Sequence, residues 1–143
     1  ESVLMRMFAR FTLELSKKYD NLYWFLLSMG YRTYRFLPMF FYEFWPRFEK
    51  KTPLFEQRVI DSLAVKKFGD FYNPDKGIIY PQMGCHLKPE FAQIPTKRLK
   101  NPHVMFFLEK NLGYIKGDEL ACITALSKEN FKPEILRRLG LDI

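Results

Sequence analysis

The stretch Leu22–Trp45, LYWFLLSMGYRTYRFLPMFFYEFW, constrains this chain most. It opens on an unbroken apolar run, Leu22 to Leu27, breaks at Gly30, and resumes as aromatic residues mixed with arginines. Of the 26 residues from Tyr23 to Phe48, 12 are aromatic, a density that means either a core or a large contact surface. Six apolar residues between turn signals are too few for a helix core, so 22–27 reads as a buried strand. A strand apolar on both faces is expected at a central position of a parallel sheet, with helices on either side. Arg32, Arg35 and Glu43 interrupt the apolar character well short of the ~20 residues that cross a bilayer, so no transmembrane segment is expected.

Helical periodicity flanks this stretch. Over 2–19, Val3, Met7, Phe11 and Leu15 recur every four residues, Leu4 and Phe8 widen the stripe, and Ser2 is placed to cap. Beyond Gly30 the pattern turns helical from Tyr31 through Tyr34, Leu37 and Phe41 to Trp45, with a kink or restart at Pro38 and a stop at Pro46. Arg47–Lys51 reads as a charged connector. Thr52-Pro53 opens a helix over about 53–68, which Gly69 ends. Asn73–Gly77 is a turn by residue type, and Ile78–Tyr80 a short strand placed at an edge because Pro81 cannot extend a ladder. Asn101-Pro102 opens a short helix to about Lys110. Glu119–Leu126 is the second good strand, with Leu120, Cys122 and Thr124 on one face and Ala121, Ile123 and Ala125 on the other. Pro133 starts a last helix that Gly140 stops.

The expected order is helix, strand, helix, helix, strand, helix, strand, helix. That is an α/β (or α+β) fold, a layered mixed sheet with helices on both faces. Residues 1–143 read as one domain, with 70–100 loop-rich. Only two strands are convincing, too few for a self-sufficient sheet. Either further strands exist or the chain is a piece of a longer one, and its first residue is Glu rather than Met.

Composition narrows the partners. The net charge of +7 divides evenly, +4 over residues 1–72 and +3 over 73–143. Nucleic-acid binders more often gather their charge in a stripe or tail, so there is no strong nucleic-acid signal. A solvated basic surface is the plain expectation. An anionic partner (a nucleotide phosphate, a lipid headgroup or RNA) is the alternative. Cys85 and Cys122 read as free thiols of a reduced, cytoplasmic compartment rather than as a disulfide. No basic segment followed by an apolar run opens the chain, so no signal peptide is expected.

Three groups of residues bear on chemistry. The loop Ser28-Met29-Gly30-Tyr31-Arg32 leaves the carboxyl end of a strand and enters a helix, where ligands collect in open α/β sheets. Backbone amides there could hold an anion, and Arg32 and Arg35 would add guanidinium forks. Cys85-His86, His103 and Cys122 have no metal-ligand spacing, so no metal is expected. Glu109, Asp118 and Glu119 lie near His103 and Tyr114 in sequence, and are read first as solvated charges rather than as acid–base catalysts.

Helix 2–19, then YWFLLS, then SMGYRTYRFLPMFF, resembles the second half of a GNAT-like (GCN5-related) acyltransferase. LYWFLLSMGYRTYRF and FFLEKNLGYIKGDELACI are also similar to uncharacterised bacterial proteins of that type. The resemblance implies acyl-CoA or acetyl-CoA as cofactor, bound near Ser28, Gly30, Arg32 and Arg35. It makes Tyr31 and Tyr34 counterparts of the tyrosine such enzymes use as general acid. The family's glycine-rich loop, [RQ]xxGx[GA], is absent and would be expected before residue 1, so no catalytic residue carries over. Beside this enzyme reading stands a non-enzymatic module whose basic and aromatic surface meets a protein, a lipid surface or RNA.

Overall fold

Glu119–Ala125 (β4) is the strand on which everything else is laid. In the computed structural model, which describes residues 3–82 and 88–141, β4 pairs with Tyr23–Ser28 (β1) along its length, from Tyr23 opposite Ala125 to Ser28 opposite Leu120. Its other side meets Ile78–Ile79 (β3) at Leu120 and Glu119, and β3 pairs with Tyr72–Asn73 (β2). Farther along that side, Trp45 and Ile123 exchange both backbone hydrogen bonds at 2.8 Å. The order is β1-β4-β3-β2, and every pairing is antiparallel. The α/β class and the helices on both faces stand.

The central parallel position expected for 22–27 does not stand: β1 is an antiparallel strand at the end of the described sheet, and the sheet is not mixed. Its two-faced apolarity has another cause, since helices cover both faces even at this edge. Tyr23, Phe25 and Leu27 lie with the core on one face and Trp24 and Leu26 with the core on the other. Ile78–Ile79 lies between β4 and β2, so it is internal rather than an edge.

The alternation of β4 assigns the two cores. Leu120 and Cys122 point toward Val3–Lys18 (α1), Tyr31–Phe40 (α2), Pro102–Lys110 (α5) and Pro133–Arg138 (α6). Ala121 and Ile123 point toward Leu54–Phe68 (α3), which contributes Ile60 and Ala64. Burying an aliphatic side chain such as Ile123, fully inaccessible here, stabilises by about 1.5–3 kcal/mol. A remaining short helix, Pro89–Ala92 (α4), lies in the loop-rich stretch.

Other differences have local reasons. In α1 the expected stripe faces outward: Val3, Met7 and Phe11 are exposed, while Ala9, Thr12 and Leu13 are buried. Ala9 and Leu13 join the core, and Thr12 is buried with its hydroxyl bonded to the Phe8 and Ala9 carbonyls. The helix from Tyr31 tolerates Pro38 but ends at Phe40, and Phe41 and Trp45 become bridge residues. Side chains outside the helix hold that segment, as argued below for Asn130. Thr52 does not cap α3: Pro53 holds the N-cap position with no side-chain bond. Asn101 does cap α5, accepting from the His103 amide at 2.9 Å. In the β2–β3 turn, Asn73 Oδ1 accepts from the Asp75 and Lys76 amides, and Gly77 closes it at φ +68°, where a side chain would be strained. The proposed cap Ser2 lies outside the described residues.

A basic cleft as the candidate functional site

The connector Arg47–Lys51 is pinned at one end by hydrogen bonds. Tyr34, with its ring among Phe44, Phe106 and Phe107, donates its hydroxyl to the Pro46 carbonyl at 2.8 Å. Trp45, joined to Pro46 by a cis peptide, is fastened to β4 through Ile123. Arg47 follows, donating to both carboxylate oxygens of Glu49 at 3.0 and 2.8 Å and to the Tyr42 carbonyl at 2.8 Å. That bidentate bond from Arg47 holds the Glu49 carboxyl below its usual range. Arg47 is therefore a neutralised post, lying 4.6 Å from the Phe44 ring centre.

The chain then swings away from the sheet and leaves a cleft of about 840 Å³ between the connector, the β2–β3 turn and the end of α5. Its floor is apolar: Ile60, Phe106, Leu120 and Ala121, all buried. Its rim is basic: Lys50 and Lys51 from the connector, Lys76 from the turn and Lys110 from α5, against one lining aspartate, Asp75. None of these four lysines forms an ion pair with a described residue. Thr52, Leu54 and Gln57 place the first turn of α3 on the wall. Its leading amides have no side-chain cap, so they remain available as donors. Four exposed lysines outnumber the carboxylates near them, Asp75 in the lining, Glu56 in the first turn of α3 and Asp118 near Lys76, and leave a net positive rim suited to phosphate.

The residues expected to form a site lie elsewhere. Ser28 is fully buried, its hydroxyl 3.8 Å from the Cys122 sulfur and its carbonyl accepting from Asn111 Nδ2 at 3.3 Å. Gly30 is buried and holds the N-cap position of α2. Tyr31 and Tyr34 are buried, and burial pushes the Tyr34 hydroxyl's pKa far above the ordinary tyrosine range. Arg32 is exposed with its guanidinium 5.2 Å from the Tyr31 ring. Arg35 is half-buried, its pKa lowered by that burial and then by Arg98. None of these six lines the cleft. Ligands collect at the carboxyl ends of strands in open parallel sheets, and β1 runs antiparallel to β4.

The acid–base cluster does not converge either. His103, at the start of α5, lies against Phe44 and Phe48, with its pKa lowered by burial and its Nδ1 without a partner among the described residues. Glu109 stands about 9 Å further along the same helix at 1.5 Å per residue. Burial raises the Asp118 and Glu119 carboxyls. Among the described residues no group of carboxylates, histidines and cysteines could hold a metal. Cys85 and His86 lie outside the described residues. No described helix is long and apolar enough to cross a membrane.

Cys122 is inaccessible, and burial pushes its thiol up to about 12. Thiolates, not thiols, are the nucleophiles, so this residue is inert in the folded chain. At pH 8, iodoacetamide is expected to leave the Cys122 peptide unlabelled in native buffer and to label it fully in urea, as read by peptide mass spectrometry. Fast native labelling would contradict this packing.

Sequence reasoning missed the cleft because its cations come from three separate places. Arg47, Lys50 and Lys51 before Thr52-Pro53 were the legible signal. Nothing in the sequence says that Lys76 and Lys110 join them. Comparison with protein-family models, with curated proteins and with solved structures finds no match to this chain.

Proposed function

We propose that this chain is a binding module whose basic cleft takes a small ligand carrying more than one phosphate. One observation carries the reading: Lys50, Lys51, Lys76 and Lys110 rim a single hollow and none is held in an ion pair with a described residue. The hollow's 840 Å³ suits a nucleotide-sized molecule better than a polymer, since small-ligand pockets span roughly 300–1,000 Å³. The apolar floor would take a base or an acyl chain, and the lysines and α3 amides the phosphates. Acyl-CoA, which the acyltransferase resemblance implies, belongs to this ligand class. Acyl transfer is not part of the reading, because the Tyr34 hydroxyl is buried and already donated to Pro46.

Calorimetric titration with pyrophosphate, ATP and acetyl-CoA at low salt tests it. At least one is expected to bind, more weakly as salt rises, because exposed charge interactions are screened over ~8–10 Å at 0.1–0.15 M ionic strength. Reversing Lys50 and Lys51, both exposed, by K50E/K51E is expected to weaken binding at least about tenfold, or ~1.4 kcal/mol, with folding unchanged. No binding by any of the three, or equal binding by the variant, overturns the reading.

A further inference from the structure

The end of the sheet at β1 carries two features that the cleft does not use. Antiparallel pairing alternates, so every second residue turns its backbone toward the partner. The Leu126 amide donates to the Leu22 carbonyl, which sets the phase: Trp24, Leu26 and Ser28 face β4, and Tyr23, Phe25 and Leu27 turn their N–H and C=O groups outward. Among the described residues nothing bonds to those outward groups. Natural edges are guarded by lysine, proline or a bulge, and Tyr-Trp-Phe-Leu-Leu-Ser has none of these.

Exposed apolar side chains flank this edge on both faces. On one, Phe8 of α1 packs tilted against Trp24 at 4.6 Å between ring centres. Leu4, Phe8, Phe11 and Leu15 follow the four-three-four spacing of a helix-pairing seam, with Leu4 75% and Phe11 62% exposed. The opposite flank of α1, carrying Arg10, Glu14 and Lys17, meets Lys128 and Gly140, so the seam lies on the β1 side. On the other face, Phe55 of α3 stands 6.4 Å from Tyr23 and is 59% exposed.

We propose that this edge is a self-association surface, on which a second copy of the chain pairs through β1 about a two-fold axis at Phe25. The outward residues are symmetric about Phe25, so Tyr23 meets the partner's Leu27, and Phe25 meets the partner's Phe25, with both hydrogen bonds made at each pair. A two-fold axis normal to the sheet keeps each face together. The α1 seams then meet on one side and the Phe55 rings approach on the other, as an isologous interface requires. A different partner would have to supply both an unguarded strand and a matching apolar flank, and this chain already carries both. A specific interface buries at least about 1,200 Å² over two copies, so strand and flanks must both take part.

Sedimentation velocity across a concentration series tests this, with hydrogen exchange on the same samples. The expected result is a concentration-dependent shift from 17.2 kDa to the dimer, with the Tyr23, Phe25 and Leu27 amides gaining protection as it forms. L4E/F11E alters only exposed side chains, and is expected to weaken dimerisation at least about tenfold while circular dichroism stays unchanged. A monomer at every concentration, a dimer whose three amides stay unprotected, or a dimer untouched by L4E/F11E each overturns the proposal.

Discussion

Replacing Asn130 by aspartate is expected to cost about 3–5 kcal/mol of stability, the cost of leaving a buried charge without its partners. Asn130 is nearly inaccessible and ties three segments together. Its Oδ1 accepts from the Glu43 amide at 2.8 Å. Its Nδ2 donates toward the Glu43 carbonyl at 2.9 Å, the Ala125 carbonyl at 2.8 Å and Thr124 Oγ1 at 3.1 Å. Its own carbonyl accepts from the Tyr42 amide. These bonds hold 42–45 beside β4 and so end α2 at Phe40, where the aromatic pattern alone would continue the helix. An aspartate keeps one acceptor and loses both donors, and its second oxygen faces two carbonyls. The folded state then favours the protonated acid, raising its pKa above the unfolded value of ~3.9. A raised carboxyl pKa means the folded chain binds more protons, so the Asn130→Asp deficit is greatest at neutral pH and shrinks as pH falls toward the unfolded pKa. Urea unfolding of Asn130→Asp and Asn130→Ala at pH 7 and pH 5 measures this. An aspartate variant no worse than the alanine at pH 7 would contradict it.

Phe107→Ala is expected to cost about 3–5 kcal/mol, the range for a large aromatic removed from a rigid core. Phe107 is fully buried on α5, with its ring 5.8 Å from that of Tyr34 and 6.0 Å from that of Tyr114. The cavity would sit between α2 and α5, under the ring that holds Tyr34 to Pro46. Thermal and urea unfolding should show the loss. Leu112, 84% exposed two residues beyond α5, is the control, and Leu112→Ala should move stability by less than about 0.5 kcal/mol.

How much of this was legible in the sequence differs by element. Helix α5 was, because Asn101-Pro102 is a local signal whose bonds close within two residues. β4 was, down to which residue faces which core, because a period of two cannot slip without turning leucine outward. The place of β1 was not. Apolarity on both faces reports cover by helices, and β1, packed on both faces though less buried than β4, has that cover at the edge. The outward stripe of α1 was misread because hydrophobicity alone did not pick the face: Ala9, Thr12 and Leu13 went down, and Met7 and Phe11 stayed exposed. The cleft was the least legible. Its lysines are separated by up to 60 positions, from Lys50 to Lys110, and only the folded chain brings them to one rim.

The most direct measurement is an amide-resolved NMR titration with ATP and with acetyl-CoA. Binding in the basic cleft predicts saturable shifts at Lys50, Lys51, Leu54, Gly77, Lys110 and Ala121, with the Ser28–Arg35 amides unmoved. Shifts concentrated at Ser28–Arg35 with the cleft silent, or no saturable shift anywhere, would contradict it.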